Sequence, residues 1–149
     1  MVQSKMQSIR IKYHNPDLKK VEQIDIGNWI DLRCAEKIVT MFKGDARLIS
    51  LGVSMELPYG FEAHVVPRSS TFKSFGIIQW NHFGVIDNLY CGNNDVWKFT
   101  ALAMRDTVIQ LNDRICQFRI MPIQPKISFI EVENLENKDR GGFGSTGKN

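Results

Sequence analysis

Val53-Ser54-Met55-Glu56-Leu57-Pro58-Tyr59-Gly60-Phe61-Glu62-Ala63-His64-Val65-Val66-Pro67-Arg68-Ser69-Ser70 carries a strand, a turn, a second strand and a helix start in one run. Val53, Met55 and Leu57 alternate with polar neighbours, the period of a strand with one face buried. Pro58-Tyr59-Gly60 stops it, because proline presets φ and glycine supplies φ > 0. Phe61 to Val66 then reads as a returning strand. Ser69 or Ser70 caps a short helix that ends before Gly76.

The same period extends outward in both directions. Ile9, Ile11 and Tyr13 alternate, and Val96 to Ala103, Ile115 to Met121 and Ile127 to Val132 read as strands. Turns fall at Asn15-Pro16-Asp17, Lys43-Gly44-Asp45, Cys91-Gly92-Asn93-Asn94 and Leu111-Asn112-Asp113. No second helix is expected and no internal repeat is visible. Many short strands between regular turns point to an all-β sandwich or jelly roll. The expected division is a β domain over 1–136 and a polar, glycine-rich, mobile arm over 137–149.

With 149 residues, the chain suits one domain large enough to bury a core. Charged residues make up 23% and the net charge is +3, with the basic residues scattered. A nucleic-acid binder usually shows a basic stripe, so nucleic acid is not an expected partner. Nor is a membrane, because no apolar run approaches ~20 residues and no signal-peptide pattern opens the chain. A cytoplasmic location is expected. Cys34, Cys91 and Cys116 are widely spaced and form no CxxC pair, so they read as buried or inert free thiols. His14, His64 and His82 show no metal-ligand spacing.

Two stretches carry chemistry. The tail Asp139-Arg140-Gly141-Gly142-Phe143-Gly144-Ser145-Thr146-Gly147 packs glycines, an arginine, two hydroxyls and a ring together. Glycines let backbone N–H groups curl around an anion, and Arg140, Ser145 and Thr146 complete such a shell. Phe143 has no core nearby and suits stacking on a flat ring. Upstream, Gly84-Val85-Ile86-Asp87-Asn88-Leu89-Tyr90 sets an acid and an aromatic beside a tight turn. The plain alternatives are a hairpin turn residue for Asp87, a cross-strand aromatic for Tyr90 and a disordered polar terminus for the tail.

Five motifs in order resemble those of the trimeric dUTPase family of bacteria and phages. They are Gly27-Asn28-Trp29-Ile30-Asp31-Leu32, Pro67-Arg68-Ser69-Ser70, Asn81-His82-Phe83-Gly84-Val85-Ile86-Asp87 running on to Tyr90 and Gly92, Asp113-Arg114-Ile115-Cys116-Gln117, and the tail. The resemblance implies a distorted jelly roll with one short helix, a homotrimer, and a C-terminal flap closing over the site. It implies Mg²⁺-dependent hydrolysis of dUTP to dUMP and pyrophosphate, by water attack on the α-phosphorus. Asp87 would be the catalytic acid group that orients and deprotonates the water. Asp31 would hold Mg²⁺ through bound water. Ser69, Ser70 and Gln117 would meet the phosphates, Arg68 on the same substrate-binding rim would give electrostatic support near the catalytic aspartate, and Arg114 is read as structural. Asn81 and the backbone of Gly84, Val85 and Ile86 would read the uracil edge, and Tyr90 would pack on the sugar. Arg140, Gly144, Ser145 and Thr146 would close on the terminal phosphate, with Phe143 stacked on uracil. His82 lies beside that hairpin.

Two alternatives belong to the same fold. A dCTP deaminase also carries an Arg-Ser-Ser motif, but its family places a glutamate on the strand after the hairpin. Here Val96 to Ala103 has no carboxylate, and Lys98 stands near that place. A nucleotide-gated regulatory protein of phage type is the other alternative. Gly142 to Asn149 also nearly matches a phosphate-binding P-loop. A working loop needs Ser or Thr after the lysine, and Asn149 follows Lys148.

Overall fold

The structure is a computed structural model that describes residues 5–149. The first four residues of the expected β domain lie outside the described residues. The regular elements are β1 (Arg10–Tyr13), β2 (Ile30–Arg33), β3 (Ile38–Met41), β4 (Ala46–Ser50), β5 (Val53–Glu56), β6 (Phe61–Pro67), α1 (Thr71–Phe75), β7 (Ile77–Gln79), β8 (Gly84–Ile86), β9 (Lys98–Ala103), β10 (Thr107–Gln110) and β11 (Arg114–Pro122). Every strand pairing is antiparallel. The sheets run β1-β5, β10-β3, β2-β11-β6-β8 and β4-β9-β7. They wrap one core in a distorted jelly roll.

Side-chain alternation decides which face enters that core. On β6, Ala63 and Val65 are buried while Glu62, His64 and Val66 are half-exposed. On β9, Phe99, Ala101 and Ala103 point inward. Trp97 and Phe118 meet edge to face at 5.2 Å between centroids in the middle of the core. The expected turns close with their own side chains. Asn15 Oδ1 accepts the Asp17 N–H at 2.9 Å, and Asp113 Oδ2 accepts the Gln110 N–H at 2.8 Å.

The short helix follows the two serines, with Ser70 at its N-cap position but without the expected side-chain capping bond, and Gly76 at its C-cap. Gly76 has φ 63° and its N–H donates to Phe72 O at 2.7 Å. A side chain there would strike Arg105, which donates to Lys73 O at 2.8 Å and ties down the helix end.

One predicted strand is absent. Residues 127–132 have the right alternation but belong to no sheet. Among the described residues no strand pairs with them, and Ile127, Phe129, Ile130 and Val132 are all exposed. The last backbone hydrogen bond recorded between this end of the chain and the β domain is Ile123 N–H to Gly60 O, at 2.9 Å. All three cysteines are free thiols; Cys34 and Cys116 are buried, and Cys91 is exposed on its turn. No helix among the described residues is long and apolar enough to cross a membrane.

Candidate active site

Three strands bring the charged residues together at one end of the four-stranded sheet. Asp31 on β2, Gln117 on β11 and Val66 on β6 lie in one cross-strand row. Arg68 follows the last residue of β6, and its Nε meets Asp31 Oδ1 at 3.0 Å. Arg114 at the start of β11 meets Asp31 Oδ2 at 3.2 Å. One carboxylate therefore fixes two guanidinium groups side by side. Gln117 Nε2 donates to Pro67 O at 3.1 Å, so its amide is also held against β6. Ser69 is exposed just beyond, and the Ser70 side chain makes no capping bond. Two arginines, two hydroxyls and an amide on one rim suit a polyanion.

A bulge shapes this corner. Arg114 opposes Arg33 and Cys116 opposes Leu32, so Ile115 is the extra residue on β11. Thr71 Oγ1 takes up the freed backbone group, donating to Ile115 O at 2.9 Å. Burial pushes the Cys116 thiol well above its ordinary range; Asp31 adds to the rise and Arg68 opposes it. Burial likewise raises Cys34. Both thiols stay protonated and inert at neutral pH.

The hairpin sits elsewhere. β8 is an edge strand, paired to β6 on one side only. The outer backbone groups of Gly84, Val85 and Ile86 are thus free of ladder partners. A Cβ at Gly84 would lie 3.0 Å from Gln79 Nε2 and 3.2 Å from Val65, so a side chain there would have to push these neighbours aside by a few tenths of an ångström. Asp87 follows β8; its Oδ1 accepts the Leu89 N–H at 2.7 Å, leaving Oδ2 open to solvent. Tyr90 is partly exposed, with its hydroxyl donating to Val96 O at 3.0 Å. Asn81 Oδ1 accepts from Thr100 Oγ1 at 2.6 Å, which turns its amide NH₂ outward.

Among the described residues no hydrogen bond joins the tail to either group. Gly141, Phe143, Gly144 and Gly147 all have positive φ. Ser145 N–H bonds Gly142 O at 3.1 Å and Gly147 N–H bonds Gly144 O at 2.9 Å, giving two successive turns. Arg140 and Thr146 are exposed, and the Phe143 ring is fully so.

A family model described as dUTPase matches residues 30–147. The chain is 56% identical over 139 residues to the SPbeta prophage-derived deoxyuridine 5'-triphosphate nucleotidohydrolase of Bacillus subtilis strain 168. That match covers 93% of this chain and 97% of the relative. The chain belongs to the dUTPase family. Solved dUTPases share its fold. The Staphylococcus bacteriophage 80alpha dUTPase matches with a TM-score of 0.72 at 17% identity, over 87% of this chain and 99% of its own. The dUTPase of phage phi11 of S. aureus, whose structure details the coordination of a structural Mg(II) ion, matches at 0.69 and 15% identity, over 87% and 99%.

Within this dUTPase fold, strand register separates the two groups. Ile86 opposes Ala63, so Asp87 lies level with Glu62 at the start of β6. Arg68 stands beyond the other end of the strand. At a rise of ~3.3 Å per residue, the stretch from Glu62 to Arg68 puts roughly 20 Å between acid and arginine within one chain. His82 lies nearer, lining a groove of about 340 Å³ with Pro67, Arg68, Ser69, Phe72 and Gln79. Two residues of this region escape a reading of the sequence. Gln79 is buried under the hairpin with Nε2 donating to Val65 O at 3.2 Å and Oε1 unpartnered. Thr71 reads as one more hydroxyl at a helix start, and only the fold reveals that it faces β11.

Proposed function

We propose that this chain hydrolyses dUTP to dUMP and pyrophosphate, at sites shared among the subunits of a homotrimer. The observation that carries the reading is the separation along β6 in a member of the dUTPase family. A phosphate corner and an acid-bearing hairpin stand at opposite ends of one strand. A closed ring of three copies lets one subunit's Asp87 face another's Arg68, and lets a detached tail reach a third pocket.

In this reading each site takes Asp87, Asn81 and Tyr90 from one subunit, and Arg68, Ser69, Ser70 and Gln117 from a second. Arg140, Phe143, Gly144, Ser145 and Thr146 come from a third. The free edge of Gly84, Val85 and Ile86 offers N–H and C=O groups to the uracil edge. The outward NH₂ of Asn81 suits a carbonyl oxygen, which uracil has where cytosine carries an amino group. Mismatched polar pairing discriminates strongly because it leaves buried groups unpaired. Tyr90, held by Val96 O, packs on the sugar where a 2′-hydroxyl would stand.

For the chemistry, Asp87 Oδ2 orients a water and takes its proton. The water oxygen bonds to the α-phosphorus while the bond to the bridging oxygen breaks, and pyrophosphate leaves. Arg68 and Arg114, locked by Asp31, face the developing negative charge without reorganising. Mg²⁺ is the expected cofactor. Among the described residues no cluster of three His, Cys, Asp or Glu could hold a metal alone. The donor set instead fits a hydrated ion. Each Asp31 oxygen accepts one arginine N–H and retains a lone pair for a metal-bound water, while substrate phosphates supply the remaining oxygens. Held there through Asp31-bound water, Mg²⁺ would supply neutralisation of phosphate charge. The deaminase alternative lacks its acid, since β9 reads Lys98-Phe99-Thr100-Ala101-Leu102-Ala103. A cytoplasmic location accords with a nucleotide substrate.

The test is pyrophosphate release from dUTP, dCTP, dTTP and UTP with Mg²⁺. The expected result is strong preference for dUTP. Comparable turnover of dCTP, or ammonia release from it, contradicts the reading.

A further inference from the structure

The ion pair with Asp31 fixes the guanidinium of Arg68, but its backbone is fixed by a different group. Thr71 is fully buried at 0% exposure. Its Oγ1 accepts the Arg68 N–H at 2.8 Å and donates to Ile115 O at 2.9 Å. Its own N–H donates to Arg68 O at 3.0 Å. The pair of reciprocal bonds closes the turn that holds Ser69 and Ser70.

The third bond reaches across the fold. Ile115 is the bulge residue, next to Arg114 and two before Gln117. One hydroxyl thus joins the loop bearing Arg68, Ser69 and Ser70 to the strand bearing Arg114 and Gln117. Little else could. α1 is only five residues long, too short to hold its own N-terminus, and the Ser70 side chain makes no capping bond. A methyl in place of the hydroxyl would fill the same volume and leave the part-buried Arg68 N–H and the buried Ile115 C=O without this partner.

We infer that Thr71 is the positioning residue of the phosphate corner, setting Arg68 and the two serines in register with Arg114 and Gln117. The inference rests on the dUTP reading above. It concerns the phosphate-facing half of the site and leaves the uracil-facing hairpin untouched.

Thr71→Val and Thr71→Ser separate this role from core filling. The measurements are kcat and KM for dUTP, and affinities for a non-hydrolysable dUTP analogue and for deoxyuridine. Misplacement of about 1 Å costs on the order of 10²-fold, so Thr71→Val should lower kcat/KM by about 10- to 100-fold. It should weaken the analogue about as much and leave deoxyuridine within about twofold, because only the analogue uses the phosphate corner. Thr71→Ser, which keeps the hydroxyl, should stay within about threefold of the wild type throughout. Equal activity of Thr71→Val and wild type overturns the inference. So does equal weakening of both ligands, or failure of Thr71→Ser to rescue. Should Thr71→Val not fold, amide exchange at Arg68 in the wild-type protein decides: protection supports the bond, and exchange as fast as in the tail overturns the inference. A wild-type chain inert toward dUTP would defeat the functional reading instead, and the exchange measurement would still judge this one.

Discussion

With Asp87 in its proposed role as the base, Asp87→Asn isolates the proton-transfer step from everything else the hairpin does. The side chain keeps its shape, and the remaining Oδ1 still accepts the Leu89 N–H now bonded at 2.7 Å. The Tyr90 N–H to Asp87 O bond of 3.0 Å is backbone and survives. Asp87 is exposed, so stability should shift by no more than about 0.5 kcal/mol. What changes is the group facing the water: an NH₂ donor replaces the open Oδ2 acceptor. A positioned base contributes about 10²–10⁴-fold, which at ~1.36 kcal/mol per decade raises the barrier by about 2.7–5.4 kcal/mol. The assay is steady-state pyrophosphate release, alongside binding of a non-hydrolysable dUTP analogue. Turnover should fall by at least about 100-fold with analogue affinity nearly unchanged. Turnover within about tenfold of wild type would show that another group takes the proton.

Deleting everything after Lys138 should leave a folded β domain, since no recorded hydrogen bond joins that segment to it, while activity falls to a small remnant. Phe143→Trp should report closure as a fluorescence change when the analogue binds; silence in both experiments would mean an unused tail. Burial pushes the Cys116 and Cys34 thiols up, so the folded chain keeps protons that the unfolded chain loses above the ordinary thiol value near 9. Their contribution is full below about pH 9 and declines as pH rises beyond it, by up to about 1.4 kcal/mol per pH unit for each thiol. Urea midpoints measured across that range should therefore fall, and Cys116→Ala should make the decline shallower by one thiol's share.

The sequence carries the jelly roll through short-range signals. The alternation over Val53 to Leu57 and Phe61 to Val66 became β5 and β6, and Ser69-Ser70 with Gly76 bracketed α1. Period two misled at 127–132 because alternation records a pattern and not a partner: a strand needs an edge to pair with, and these residues join none of the sheets among the described residues. The site shows the same limit. Motif order placed Asp31, Arg68 and Gln117 among the candidates, but their meeting depends on register between β2, β11 and β6. Arg114, read as structural, turns out to share Asp31 with Arg68. Thr71 and Gln79 act through buried bonds to Ile115 and Val65, and no local pattern announces a contact that far along the chain.

Mixed refolding tests the shared site most directly. Asp87→Asn chains keep Arg68, and Arg68→Gln chains keep Asp87; each alone should be nearly inactive. In a random one-to-one mixture of trimers, a site drawing its acid and its arginine from different chains is intact with a probability of about one quarter. The mixture should therefore recover about a quarter of wild-type pyrophosphate release. No recovery from well-folded mixed trimers, or a monomeric solution mass for the wild type, would place Asp87 and Arg68 of one chain in the same site and contradict the account.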